Sequence, residues 1–131
     1  MTAPQLVNAD SLGLPAGHYS HAAVSTGGMV FISGQLPITP DRRKLGDESF
    51  EVQAAQVLAN LDAVLAACGC GRGDLLQVRV YLCDVELWPR FNDLYAAWLG
   101  EHRPARCVVP VPALHYGLAL EVEAVAQQRP A

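Results

Sequence analysis

Two stretches near the carboxyl end hold the residue types that could do chemistry. "RPARCVVPVPAL", residues 103–114, sets Arg106 directly before apolar residues, between Pro104 and Pro110. A guanidinium carries five N–H donors, and burying it costs free energy unless acceptors meet them. A solvated strand end would satisfy them, as would a structural ion pair or a bound ligand. "GLALEVEAVA", residues 117–126, puts Leu118, Leu120, Val122 and Ala124 on one side of a strand and Glu121 and Glu123 on the other. Such a carboxylate pair is usually a solvated face. If the two segments lie close in space, Arg106 can hold a carboxylate on its fork while a glutamate moves protons at the substrate's other end.

Positioning these groups requires a sheet, and the rest of the sequence supplies one. Residues 18–26, the turn "TGG" at 26–28 and the β-rich run "MVFISGQLP" read as a hairpin. The longest loop, "PITPDRRKLGDES" (37–49), follows. Val57, Leu61, Val64 and Cys68 then recur at helical spacing, from a Ser49 N-cap to an exit at Gly69–Gly71. "DLLQVRVYLCD" (74–84) alternates, with Leu76, Val78, Val80 and Leu82 on one face and Gln77, Arg79 and Tyr81 on the other. A second helix carries Leu87, Phe91, Leu94 and Trp98 and stops near Gly100, before strands around 105–111 and 118–127. The order β-β-α-β-α-β-β predicts an α+β fold, one mixed sheet with two helices on one face. The other face, expected to carry Gln77, Arg79, Tyr81, Arg106, Glu121 and Glu123, is either wet or covered by further copies of the chain.

Composition narrows the function. With 131 residues, 51% apolar and 17% charged, the chain is expected to form a single domain over residues 1–131. Thirteen acidic against nine basic residues give a net charge of −4, and "RRK" at 42–44 is the one basic cluster. Affinity for nucleic acid rests on neutralising phosphates, so this balance argues against such a partner. No apolar stretch is long enough to span a bilayer, and "MTAPQLVNADSLG" lacks a signal peptide's pattern. The expected location is the cytoplasm. Cys68, Cys70, Cys83 and Cys107 are expected to be free thiols, and the C-x-C of "CGCGRGD" lacks the second ligand pair a zinc site needs. His21 and His115 are expected at the surface or in loops, with no metal-ligand spacing.

Taken together, "GHYSHAA", "VFISGQLP", "FNDLYAAW", "PARCVVPVPAL" and "LEVEAVA" resemble, in order and spacing, the RidA family (also called YjgF or UK114) of enamine/imine deaminases. The resemblance runs from about residue 14 to residue 127. It implies a sheet-and-two-helix fold like that of the bacterial trimeric chorismate mutase. It also implies a homotrimer joined through the sheets, with active sites between subunits. The implied reaction hydrolyses reactive 2-enamino and 2-imino acids, such as 2-aminoacrylate, to 2-oxo acids and ammonia, without metal or organic cofactor.

Carried over residue by residue, the resemblance makes Arg106 the anchor of the substrate carboxylate. Glu121 would position the attacking water or move its proton, and Tyr19 would line the cleft from a neighbouring subunit. Ser33, Gly34, Asn92 and Cys107 are implied as supporting contacts. Two positions depart from the common pattern: His18 stands where many members have proline, and Cys107 where many have serine. For Cys107, a small residue filling a tight strand position is the expectation, ahead of a reactive thiol. These departures leave room for a deaminase of a specialised pathway, acting on an aminomuconate-like or pyrimidine-breakdown substrate. A non-catalytic small-ligand binder and a ribonuclease-like relative are the other readings. The intact Arg106 favours catalysis, and the acidic balance disfavours the ribonuclease.

Overall fold

Ser49 starts the longest helix: its hydroxyl accepts a hydrogen bond from the Val52 N–H at 3.2 Å, meeting one of the donors a helix start leaves free. In the computed structural model, which describes residues 3–130, the strands are β1 (Gln5–Val7), β2 (Ala22–Val24), β3 (Met29–Gln35), β4 (Leu75–Leu82), β5 (Ala105–Pro110) and β6 (Leu120–Gln127). The helices are α1 (Phe50–Ala67) and α2 (Trp88–Leu99). Gly69, at φ +72°, supplies the left-handed turn that releases α1 toward β4. The apolar stripe of α1, with Val57, Leu61 and Val64 at 0% exposure, seals one face of the sheet. Cys68 and Cys70 are buried free thiols behind that helix exit. Among the described residues, no helix is long and apolar enough to cross a membrane.

The strands form one sheet in the order β1-β2-β3-β6-β4-β5, antiparallel throughout except for the parallel pair β4–β5. One sheet with two helices on one face is the α+β arrangement expected. Strand β1 was not expected; three residues are too few to show a period. It pairs Gln5 with Val24 and extends the sheet by one strand. The β4 alternation also needs correcting. A register shift between Leu75 and Gln77 puts Leu75 in the core at 1% exposure and turns Leu76 out at 45%.

A second correction concerns Arg106. In the parallel β4–β5 ladder Val78 lies beside Arg106 and Arg79 beside Cys107. Neighbouring residues in a ladder share a face, so Arg106 lies on the helix-bearing side with buried Val78, and Cys107 takes the open side. The open face keeps Gln77, Arg79, Tyr81, Glu121 and Glu123. A row across it runs Leu6, Ala23, Phe31, Val125, Gln77 and Ala105. Leu6 is 66% and Phe31 50% exposed along that row.

His21 is buried rather than at the surface. Its Nδ1 accepts from the Ala9 N–H at 2.9 Å, and its own N–H donates to Asn8 Oδ1 at 2.9 Å, tying the amino-terminal segment to β2. Burial holds its pKa below the ordinary 6.5. The unfolded chain therefore binds a proton at mildly acid pH that the folded chain resists. The stabilisation is complete above about pH 6.5 and is lost as pH falls below it. The urea midpoint is expected to fall between about pH 7.5 and about pH 5.5, and His21→Gln should flatten that slope. An equally steep slope in the variant would show that another group controls it.

Candidate functional site

Strand β6 is central, flanked by β3 and β4, and its alternation is strict: Leu120, Val122 and Ala126 have 0% exposure. Glu121 is thereby forced onto the open face. On the neighbouring strand β3 bulges: Ile32 pairs with Ala124 and Gln35 with Val122, so Ser33 and Gly34 together oppose Glu123. The bulge brings Gly34 hard against the Glu121 carboxyl. A Cβ on Gly34 would collide with Oε2 and stand 3.0 Å from Cδ, which is why this position has no side chain. Ser33 Oγ donates to the Ser20 carbonyl at 2.7 Å, leaving its lone pairs as acceptors.

Tyr19, Ser33, Gly34 and Glu121 line one cleft, joined by Ala16, Gly17, Leu36, Ile38, His115 and Tyr116. Glu121 has no hydrogen-bond or ion partner among the described residues. Burial pushes its pKa above the ordinary glutamate value; His115 opposes this and Glu123 adds to it. A carboxyl raised in this way is a stronger base than a solvated one. His115 and Tyr116 belong to the turn His115–Gly117, where Tyr116 is held at φ +61° with Lys44 Nζ 4.1 Å above its ring. His115 is exposed, as expected. That it faces Glu121 was not legible, because the turn's approach depends on where β6 begins.

The neighbouring Glu123 behaves differently. Its carboxylate takes Arg79 Nη1 at 3.4 Å and the Tyr81 hydroxyl at 2.5 Å. That hydrogen bond, helped by burial, pushes Tyr81 up to about 12. Glu123 is a structural acceptor and Glu121 an unengaged one. Cys107 lies beside Arg79 on this open face and is exposed, so it does not fill a tight strand position.

Arg106 is elsewhere. Its Nη1 donates to Asn92 Oδ1 at 2.9 Å, and its guanidinium lies 5.1 Å from the Tyr95 ring centre and 5.9 Å from that of Trp88. Trp88, Asn92 and Tyr95 recur at i, i+4 and i+7 on α2, one stripe facing the edge strand β5. No carboxylate among the described residues reaches ion-pair distance of Arg106. That α2 spacing was the available signal for Trp88 and Tyr95, which the sequence reading did not single out. Arg106 and Glu121 are separated by β4, about 10 Å across and about 10 Å along the strands, and they use opposite faces. A single chain thus assembles Tyr19, Ser33, Gly34 and Glu121 in one place, Arg106 and Asn92 in another, and Cys107 apart from both. Among the described residues no group of three His, Cys, Asp or Glu side chains could hold a metal ion.

Comparison with known proteins places this arrangement. The family described as endoribonuclease L-PSP matches residues 11–128. Protein HMF1 of Saccharomyces cerevisiae is 38% identical over 120 residues, covering 92% of each chain. A RutC family protein of Pyrococcus horikoshii is 38% identical over 112 residues, 86% of this chain and 88% of that one. Among solved structures, RidA from an Antarctic Psychrobacter superposes with a TM-score of 0.86 at 36% identity, covering 94% of this chain and 98% of its own. Escherichia coli TdcF with bound serine does so at 0.87 and 29% identity, covering 95% and 99%. The chain belongs to the endoribonuclease L-PSP family, the YjgF/RidA group that its sequence motifs resemble.

Proposed function

We propose that the protein is a hydrolytic deaminase that converts reactive 2-enamino and 2-imino acids to 2-oxo acids and ammonia. The observation that carries this reading is a carboxyl and a guanidinium, each built into its own recess and neither engaged by an ion partner. Arg106 presents free N–H donors in a fixed fork, the geometry that takes a carboxylate bidentately. Glu121, raised by burial, accepts a proton from water as its oxygen adds to the C=N carbon, then returns a proton to the nitrogen as ammonia leaves. Ser33 Oγ, turned toward Ser20, offers an acceptor for that water, and Tyr19 walls the cleft. A protonated imine is already electrophilic, so orientation and proton transfer suffice. Net charge −4 and a cleft built round an unpaired carboxyl match an anionic nucleic acid poorly.

Arg106 and Glu121 can meet on one substrate only if they come from different chains. Strand β5 is an edge, so its Arg106 can reach past it onto the open face of a neighbour. The exposed row from Leu6 through Phe31 supplies apolar surface for that contact. The assembly consistent with this reading is a homotrimer joined through the open faces, its substrates small imino and enamino acids.

Two measurements test it. Sedimentation equilibrium at micromolar concentration should report three chains, and Phe31→Glu should give a folded but inactive monomer. A parent that is monomeric and active would refute the shared site. With 2-aminoacrylate generated by a serine dehydratase, Arg106→Ala should lose roughly 2–5 kcal/mol, about thirtyfold to several thousandfold in kcat/KM. Arg106→Lys should recover little. Glu121→Gln should depress kcat while leaving product binding largely intact. An Arg106→Ala variant as active as the parent would make the arginine structural.

A further inference from the structure

Arg106 has a second environment that the proposed reaction does not use. Besides the fork, it lines a pocket with Asn92, Tyr95, His102 and Arg103. In a chain with more acids than bases, this pocket is lined by two arginines and a histidine and by no acidic residue. Arg43, Arg72, Arg79, Arg90 and Arg129 each pair with a carboxylate. Among the described residues Arg42, Arg103 and Arg106 do not, and Arg42 instead donates to the Leu14 carbonyl. His102 Nε2 lies 2.9 Å from the Leu75 carbonyl, which can only accept, so that nitrogen carries its hydrogen and fixes the ring at the pocket wall.

Tyr95 adds an independent observation. The residue is 6% exposed, and its hydroxyl is buried without a hydrogen-bond partner. Buried hydroxyls are nearly always partnered, because an unmet donor loses its bond to water and gains nothing. Burial pushes its pKa up to about 12, so the group stays a phenol and can donate. Two guanidinium groups without an ion partner border this recess, Arg106 half-buried and Arg103 exposed, with the ring of Tyr95 as part of its wall.

We propose that this pocket takes a second carboxylate, so that the preferred substrates are 2-imino and 2-enamino dicarboxylates. The inference rests on the deaminase reading for the first carboxylate and the C=N carbon. Arg106 would hold the carboxylate next to the imine, and Arg103 the distal one. The reaction is unchanged: water adds across C=N, the C–N bond breaks, and a 2-oxo dicarboxylate and ammonia leave.

The test compares two imines made in situ by amino-acid oxidases with dioxygen as oxidant: 2-iminopropanoate from alanine and 2-iminoglutarate from glutamate. For the parent trimer, kcat/KM for 2-iminoglutarate should exceed that for 2-iminopropanoate by about tenfold or more. In Arg103→Gln the ratio should fall to about one. A parent without preference, or an Arg103→Gln variant that keeps the parent's ratio, overturns the proposal while leaving the deaminase reading intact. Calorimetric titration with the products separates the two ideas. If neither imine is hydrolysed, the deaminase reading fails. The pocket then stands if 2-oxoglutarate binds more tightly than pyruvate and Arg103→Gln removes the difference, and falls if the affinities are equal.

Discussion

Everything at the Glu121 cleft depends on the alternation of β6. Leu120, Val122, Ala124 and Ala126 must point into the helix-covered core, and antiparallel ladders to β3 and β4 on both sides prevent a slip. A one-residue shift would drive Glu121 and Glu123 into apolar surroundings, which burial without partners forbids. The core therefore fixes the carboxylates on the open face more firmly than any contact of their own. What distinguishes them is what each side chain meets. Glu123 stands beside Arg79 and within reach of the Tyr81 hydroxyl, whereas Glu121 meets the bulge at Ser33–Gly34. One carboxylate is consumed by the sheet, and the other has no partner among the described residues.

The cation is held by a different device. An ion pair would order the Arg106 fork but would also occupy it. Asn92 takes one N–H, and the faces of Tyr95 and Trp88 attract the guanidinium plane without accepting its remaining donors. Orientation comes from groups that do not compete with a carboxylate. Because these groups lie on one stripe of α2, the helix that helps close the core also orients the Arg106 guanidinium.

Much of this was legible in residue patterns. The Ser49 cap, both helices, the alternation of β6 and the turn before β3 follow from local periodicity and turn chemistry, and they appear where those rules put them. Ser33 and Gly34, implied by the resemblance, do lie with Glu121, but Tyr19, implied from a neighbouring subunit, lines the Glu121 cleft of its own chain. Register was not legible. The face of Arg106 depends on the parallel pairing of β5 with β4, and alternation within a strand gives relative sides, never the absolute one. The exchange of Leu75 for Leu76 depends on a bulge of the same kind. His21 does lie in a loop, but its burial was not legible because its acceptor role, serving the Ala9 N–H, joins segments twelve residues apart.

Opposite faces also explain how two unpaired charges persist in one small protein. Had the β4–β5 register been shifted by one residue, Arg106 would have joined Arg79 and Glu123 on the open face. A guanidinium there would find carboxylates within reach, and the resulting pairs would be structural. Neutralised in this way, Arg106 would lose the free donors a carboxylate ligand needs, and Glu121 would be drawn back toward an ordinary pKa by a nearby cation. The parallel pairing keeps β4 between them. The protein forgoes an internal ion pair, worth about 1 kcal/mol or less at partly exposed positions, and leaves a guanidinium at an edge and a carboxyl on a face without an ion partner among the described residues. Under the proposed deaminase reading, only a second chain, presenting its own edge to that face, would bring the two onto the same small molecule.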